Sequence, residues 1–252
     1  MDGDAAWRAL LERRPDQAGP LAPLYAPLLA PPEAEDGCFL LGRIAQSLDG
    51  RIATANGASR WISGAEDIIH THRLRALFDA IVVGAGTVAA DDPQLTTREV
   101  AGPSPVRVVI DTDRRLDAGR RVFREGPRTL LVCAEDAGTG DRLGVAEILR
   151  VKRDGRRCDA AAIVTALAAR GLRRIFIEGG GITVSRFLAA GLLDRLHVTV
   201  APLLLGSGIS SFALPEVATP RDGLRLDWRV FPLGRDLLLD IPLGRARPAC
   251  CA

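Results

Sequence analysis

The sequence predicts an α/β fold of three layers: a mainly parallel central sheet, helices on both of its faces, and an antiparallel hairpin at the C-terminal end. Three observations predict it. Short, wholly apolar runs recur as AIVVG (80–84), VRVVID (106–111), RTLLVC (128–133) and RRIFIE (173–178), and strands of that character are buried on both faces. Helical segments alternate with them, as parallel strands joined by crossovers require. Late in the chain, LRLDWRVFPLG (224–234) and RDLLLDIP (235–242) read as two strands joined through Leu233-Gly234, a hairpin signal.

The elements follow in order. Residues 1–36 are rich in Pro and Ala and read as an extension with one short helix around Trp7 to Arg13. A single domain is expected over 37–245, and a tail over 246–252. CFLLGRIAQ (38–46) reads as a strand, and Asp49-Gly50 behind it as a turn. Ser63-Gly64-Ala65-Glu66 has the form of a capping box, opening a helix whose apolar stripe is Ile68, Ile69, Leu74, Leu77 and Phe78. Asp159 and Gly171 bracket another helix as start and stop. ITVSRFLAAG (182–191) is a third, stopped by Gly191, and HVTVAPLLLG (197–206) opens the late strands. No internal repeat or low-complexity segment is evident.

Composition excludes several classes. With 252 residues, 47% hydrophobic and 25% charged, the chain can bury a core and is not disordered. A formal net charge of +2 gives no reason to expect nucleic acid. The apolar stretch from Leu21 to Ala30 is too short to span a bilayer and is interrupted by Pro23 and Pro27. Met1-Asp2-Gly3-Asp4 is acidic where a secretory leader is basic, so the reading is cytoplasmic. The cysteines are odd in number, with no CxxC pair: Cys38, Cys133, Cys158, Cys250 and Cys251. That argues against a disulfide framework or a zinc site. His70 and His72 stand at i, i+2 and make a poor metal pair. His197 lies in a strand and reads as structural. GSG at 206–208 is no nucleophile elbow, and no HxE…PCxxC pattern of a zinc deaminase occurs.

Parallel sheets bind ligands outside the carboxyl ends of their strands. Here AIVVG opens into AGTVAADDPQLTTR, VRVVID into TDRR, and RRIFIE into GGGITVSR. Gly179, Gly180 and Gly181 stand where a strand becomes a helix, and a helix N-terminus without Cβ atoms suits a diphosphate. Thr183 and Ser185 add hydroxyls and Arg186 a charge. A tight turn is the other reading of the glycines. Neither GxGxxG nor GxxxxGK[ST] occurs, so a standard dinucleotide fold and a P-loop are disfavoured. Glu178 suits the N–H edge of a pyrimidine or pterin, or is a surface carboxylate at a strand exit. Arg75 and Arg98 either clamp a phosphate or lie on solvated faces. Thr112 and Arg115 stand where NADP proteins contact the 2′-phosphate. Trp61 either stacks on a flat ring or anchors the core. No nucleophile–base pair stands out, which fits chemistry carried by a cofactor.

Taken together, SLDGRIA, SRWIS, HRLRALFDAIVVGAGTVAADDPQLTTR, VVIDTDRR, IEGGG and VAPLLLG resemble the pyrimidine reductase of riboflavin biosynthesis. That family is the reductase half of the bifunctional deaminase–reductase, with a dihydrofolate-reductase-like fold. The match runs from about Leu40 to about Ile241. The resemblance implies reduction by NADPH of the ribosyl group of 5-amino-6-(5-phosphoribosylamino)uracil to a ribityl chain. It implies that Ser59, Arg75, Leu95, Arg98 and Glu178 contact substrate, the arginines at its phosphate. It implies that Ala45, Trp61, Thr87, Asp91, Thr112 and the run Gly180, Gly181, Ile182, Thr183, Val184, Ser185, Arg186 contact NADPH, with Arg115 at its 2′-phosphate. Asp49 and Glu178 are then placed at the reacting centre, with no role assigned to Asp49, and a homodimer is implied. The family's usual Lys before the SLDG turn is Arg43 here. Alternatives are a reductase of this fold acting on dihydrofolate or a secondary-metabolite intermediate, and a nucleotide-binding regulator without turnover. Keeping both arginines favours a phosphorylated substrate over a pterin.

Overall fold

The computed structural model describes residues 3–245; Cys250, Cys251 and the 246–252 tail lie outside them. In chain order the elements are α1 (Gly3–Leu11), α2 (Ala22–Leu29), β1 (Phe39–Ser47), β2 (Arg51–Thr54), α3 (Ala65–Leu77), β3 (Ala80–Gly84), α4 (Ala85–Asp91), β4 (Val106–Ile110), α5 (Arg121–Arg124) and β5 (Thr129–Ala134). Then follow β6 (Arg142–Leu143), β7 (Ala146–Val151), β8 (Arg153–Asp154), β9 (Arg157–Cys158), α6 (Ala160–Ala168), β10 (Arg174–Glu178), α7 (Gly181–Ala189), β11 (Arg195–Ala201), β12 (Gly208–Ser210), β13 (Arg229–Leu233) and β14 (Asp236–Pro242).

The main sheet runs β13-β14-β11-β1-β10-β3-β4-β5-β7-β6. From β11 to β7 every neighbouring pair is parallel, while β14, β13 and β6 are antiparallel additions. The hairpin expected at Leu233-Gly234 is present, with Gly234 at φ +62°. Alternate residues of each strand feed two cores. One face gathers Leu41, Ile81, Val83, Val109, Leu131 and Phe176 with α1 to α5; the other gathers Leu40, Ala80, Val82, Val108, Leu130 and Ile177 with α6 and α7.

Asp159 caps α6 as its sequence position suggests, accepting from Ala161 N and Ala162 N at 2.8 and 3.2 Å. Other details differ from the sequence reading. The N-terminal segment carries two α-helices, and its Trp7, Leu10, Tyr25 and Leu28 are buried in the first core. Pro23 falls in the first turn of α2, where its missing N–H costs nothing, and burial of the apolar face carries the helix past Pro27. The capping box at Ser63 is not formed: Gly64 is the N-cap with no side-chain bond, and its N–H donates to Asp236 at 2.6 Å. The expected stripe of α3 is also wrong in its first half. Ile68 is exposed, whereas Asp67, His70, Thr71, His72 and Arg75 are buried, because complementary polar groups meet them. The expected turn at Asp49-Gly50 is formed, and β2 behind it pairs with β12. The strand β7 was not legible, because Glu147 and Arg150 break its apolar run. Among the described residues no helix is long and apolar enough to cross a membrane.

Candidate active site

β3 and β10 are neighbours, yet the helices that follow them leave to opposite faces. Val88 of α4 enters the first core, and Val184 and Phe187 of α7 enter the second. A crevice opens at the carboxyl ends of two such strands, and this is where open α/β sheets bind ligands.

The three glycines line that crevice, each for its own reason. Gly179 and Gly180 hold φ of +65° and +69°, a region that side chains disfavour. A Cβ on Gly179 would enter open space, and one on Gly180 would stand 2.9 Å from Thr87 Oγ1. A Cβ on Gly181 would collide with the carbonyl of Ser211. The turn and the cradle therefore coincide. Among the described residues no group accepts from the N–H of Gly180, Gly181 or Ile182, so the mouth of α7 presents unpaired donors to an anion. Thr183 stays beside the crevice, its Oγ1 close to Gly84. The rest of the run turns away: Val184 is in the core, Ser185 Oγ accepts from Ala213 N at 2.8 Å, and Arg186 donates to the carbonyl of Cys158. The hydroxyl of Ser185 and the charge of Arg186 are thus not at the crevice, because each helical residue rotates the side chain by about 100°.

The wall towards α3 is charged and largely dry. Arg43 of β1, in register beside Glu178, pairs with Asp67, which also accepts from Thr199 Oγ1 at 2.7 Å. Arg75 grips Glu178 bidentately, Nε to Oε2 at 2.8 Å and Nη2 to Oε1 at 2.5 Å. Glu178 is therefore no surface carboxylate, and Arg75 is no free clamp. Burial acts to raise the pKa of both carboxyls, but the facing guanidiniums win: Asp67 falls to about 2 and Glu178 lies below the usual range.

The same α3 face reaches the next loop. Arg75 Nη1 donates to the Thr96 carbonyl at 3.0 Å, and His72 Nδ1 accepts from the Arg98 N–H at 3.0 Å. The Arg98 side chain is half exposed, with Glu99 at 3.6 Å as its nearest carboxylate. Leu95 points into the core with φ +56° and is buried as a whole residue.

Elsewhere, Ser59 Oγ bonds Asp91 at 3.2 Å, tying the 55–63 loop to α4. Trp61 in that loop is 89% exposed, which removes the core-anchor reading. Asp49 accepts from Ser47 Oγ at 2.5 Å, Leu205 N at 3.1 Å and Gly206 N at 2.6 Å. These bonds, that of Ser47 foremost, lower its pKa to about 2. Asp49 thus ties the β1 turn to the 205–206 segment. Ala45 lies in β1 opposite Thr199. Thr112 Oγ1 accepts from Cys158 N at 3.3 Å, and Arg115, just beyond, is exposed. Two groups are brought together: Gly180 with Thr87 and Thr183, and Glu178 with Arg75 and the Thr96–Arg98 loop. Sequence reasoning missed His72 and the Arg43–Asp67 pair. The available signal for His72 was its i, i+3 spacing from Arg75 on one helix face.

These features define a dihydrofolate-reductase-like α/β protein with a glycine-opened helix mouth and an arginine-bearing loop beside it. A family model described as the RibD C-terminal domain matches residues 39–230, and the chain belongs to that family. It is 36% identical over 215 residues to the 2,5-diamino-6-ribosylamino-4(3H)-pyrimidinone 5′-phosphate reductase of Methanothermobacter thermautotrophicus, covering 80% of this chain and 96% of that protein. It is 34% identical over 206 residues to the riboflavin biosynthesis protein RibD of Mycobacterium tuberculosis, covering 79% of this chain and 52% of that one, so it spans about half of that relative. A solved deaminase/reductase from Thermotoga maritima superposes with a TM-score of 0.69 at 27% identity, over 88% of this chain and 59% of that one. A Saccharomyces riboflavin biosynthesis reductase, 23% identical, shares the fold at a TM-score of 0.72 over 89% of this chain and all of that one. The chain is an oxidoreductase of the riboflavin-pathway reductase class, with a nicotinamide cofactor.

Proposed function

We propose that the chain reduces the ribosyl group of a 5-phosphoribosylaminopyrimidine to a ribityl chain, with NADPH as reductant. The observation that carries this reading is a helix mouth with unpaired amides directly after Glu178, to which an arginine-bearing loop is tied through Arg75. The unpaired amides at Gly180 to Ile182 suit a dinucleotide's diphosphate, and Gly179 leaves the space such a group needs. From Glu178, two residues earlier, hydrogen bonds run through Arg75 to the Thr96 carbonyl, two residues before Arg98, whose guanidinium suits the substrate's phosphate.

When bound, NADPH supplies a hydride to the ribosyl carbon once the glycosylamine has opened to an imine. The chain's own residues orient and enclose the reactants. Arg98 attracts the phosphate, and the neutralised Arg75–Glu178 pair forms a rigid polar floor where the pyrimidine lies. Leu95 anchors the loop in the core, while Asp49 keeps the β1 turn closed against 205–206. Trp61, Ala45, Thr87 and Asp91 serve the cofactor, and Thr112 with Arg115 its 2′-phosphate, the basis for preferring NADPH over NADH. A homodimer and a cytoplasmic location belong to the same reading.

Two substrates fit: 5-amino-6-(5-phosphoribosylamino)uracil and its 2,5-diaminopyrimidinone counterpart. The second is favoured by the Methanothermobacter relative, which this chain covers almost end to end. Following NADPH absorbance with each compound decides between them, and no oxidation with either would sink the proposal. Arg98→Ala is expected to raise KM for the phosphorylated substrate about tenfold or more and leave KM for NADPH within about twofold. Equal effects on both would count against it.

A further inference from the structure

The loop from Asp92 to Arg98 is unusual in its backbone. Asp92 and Leu95, neither of them glycine, hold φ of +41° and +56°, and two such residues within four positions persist only where surroundings over-determine them. The ties are visible. Asp92 Oδ1 accepts from Arg121 N at 2.8 Å, Leu95 is sunk in the core, and Thr97 N donates to Ser104 Oγ at 3.0 Å. At the end of the loop the hold passes to α3, where Arg75 takes the Thr96 carbonyl and His72 Nδ1 takes the Arg98 N–H.

That last bond settles the state of the ring. An Nδ1 that accepts an amide N–H carries no proton, so a neutral His72 has its proton on Nε2. The imidazole is buried, and the charges acting on it are Arg75 of its own helix and Arg98 of the loop, with Glu178 of β10 opposing them. Burial first, then the two guanidiniums, bring its pKa down to about 4. The acceptor is therefore intact throughout the neutral range. Arg98, by contrast, has a half-exposed side chain and only a loose contact with Glu99, so its backbone is the part that is fixed.

We propose that His72 is a positioning residue: its Nδ1 anchors the backbone of Arg98 and so delivers the guanidinium to the substrate's phosphate. The inference rests on the phosphate-binding role proposed for Arg98. It makes His72 a determinant of selectivity for phosphorylated over unphosphorylated substrate, acting through the loop and without touching NADPH.

Three replacements separate the possibilities, because Asn places an acceptor near Nδ1 and Gln near Nε2, while Leu keeps bulk with no acceptor. KM is measured for the phosphorylated substrate and for its dephosphorylated form, with Kd for NADPH as the check on folding. His72→Leu and His72→Gln are expected to raise the phosphorylated-substrate KM about tenfold, with the dephosphorylated-substrate KM and the NADPH Kd each within about twofold. His72→Asn is expected to restore most of the loss. Should His72→Leu not fold, His72→Gln against His72→Asn carries the comparison. Rescue by Gln and not by Asn would overturn the inference, as would equal losses on both substrates. If Arg98→Ala raises the phosphorylated-substrate KM while His72→Leu does not, the inference fails and the proposed function stands. If Arg98→Ala leaves that KM unchanged, the phosphate reading fails, and the inference with it.

Discussion

Arg75→Ala would leave Glu178 mostly buried with its bidentate partner gone, and the unfolding free energy is expected to fall by about 3 kcal/mol or more, read by urea denaturation. The pairing arises because burial pushes the Glu178 carboxyl up and the facing Arg75 guanidinium more than offsets it. A double replacement, Arg75→Met with Glu178→Leu, removes both charges at similar volume and is expected to recover most of that stability. Turnover should not return, since the polar floor and the hold on the Thr96 carbonyl are gone. Recovery of both would make the pair purely structural.

At the scale of elements, the opening of α7 separates packing from binding. Gly181→Ala forces a Cβ into the Ser211 carbonyl, so the 210–213 segment must shift and thermal stability should drop sharply. Gly179→Ala meets no atom and costs only the left-handed backbone, about 1 kcal/mol, while its methyl enters the crevice. NADPH affinity, measured by fluorescence titration, is expected to fall several-fold or more in Gly179→Ala with a modest change in melting temperature. The opposite ranking would move the diphosphate site away from this turn. The helix α3 is the other organising element. It buries Asp67, His70, Thr71, His72 and Arg75, and through Asp67, Arg75 and His72 it joins the Arg43 layer, the Glu178 floor and the Arg98 loop.

Across the whole molecule, all three histidines are buried and all three are held neutral. Tyr25 Oη lies 2.8 Å from His70 Nδ1, His70 Nε2 3.1 Å from His197 Nδ1, and His197 Nε2 3.3 Å from Asp240. The chain of contacts runs from the N-terminal helix α2 to β14. Burial lowers the pKa of each ring, to about 4 for His72 and well below 6.5 for His70. A histidine depressed in the fold binds its proton more readily when unfolded. Its contribution to stability is therefore whole above pH 6.5 and is lost as pH falls below that value. The unfolding free energy is expected to be flat near pH 7 to 8 and to fall from about 6.5 downwards, by up to about 1.4 kcal/mol per pH unit for each histidine, with the denaturation midpoint following it. Asp67 and Asp49, lowered to about 2, add a second loss only below about pH 4. A midpoint constant down to pH 4.5 would contradict neutral buried rings.

By itself the sequence determined the parallel core, the rim and the glycine-opened helix, because AIVVG, VRVVID and RRIFIE can only be buried on both faces, and three glycines at a strand end leave few conformations. Those are local properties of pattern and backbone. Tertiary structure alone decided which charges are free. In the sequence Arg75 and Arg98 read as phosphate clamps or solvated residues and Glu178 as a rim or surface carboxylate, while Asp67 gave no signal. Burial then matched Arg75 to Glu178 and Arg43 to Asp67 and left Arg98 half exposed, because the cost of drying an ion depends on what faces it across the fold. The N-terminal helices were decided in the same way: Pro and Ala gave little local signal, and the core received Trp7, Tyr25 and Leu28.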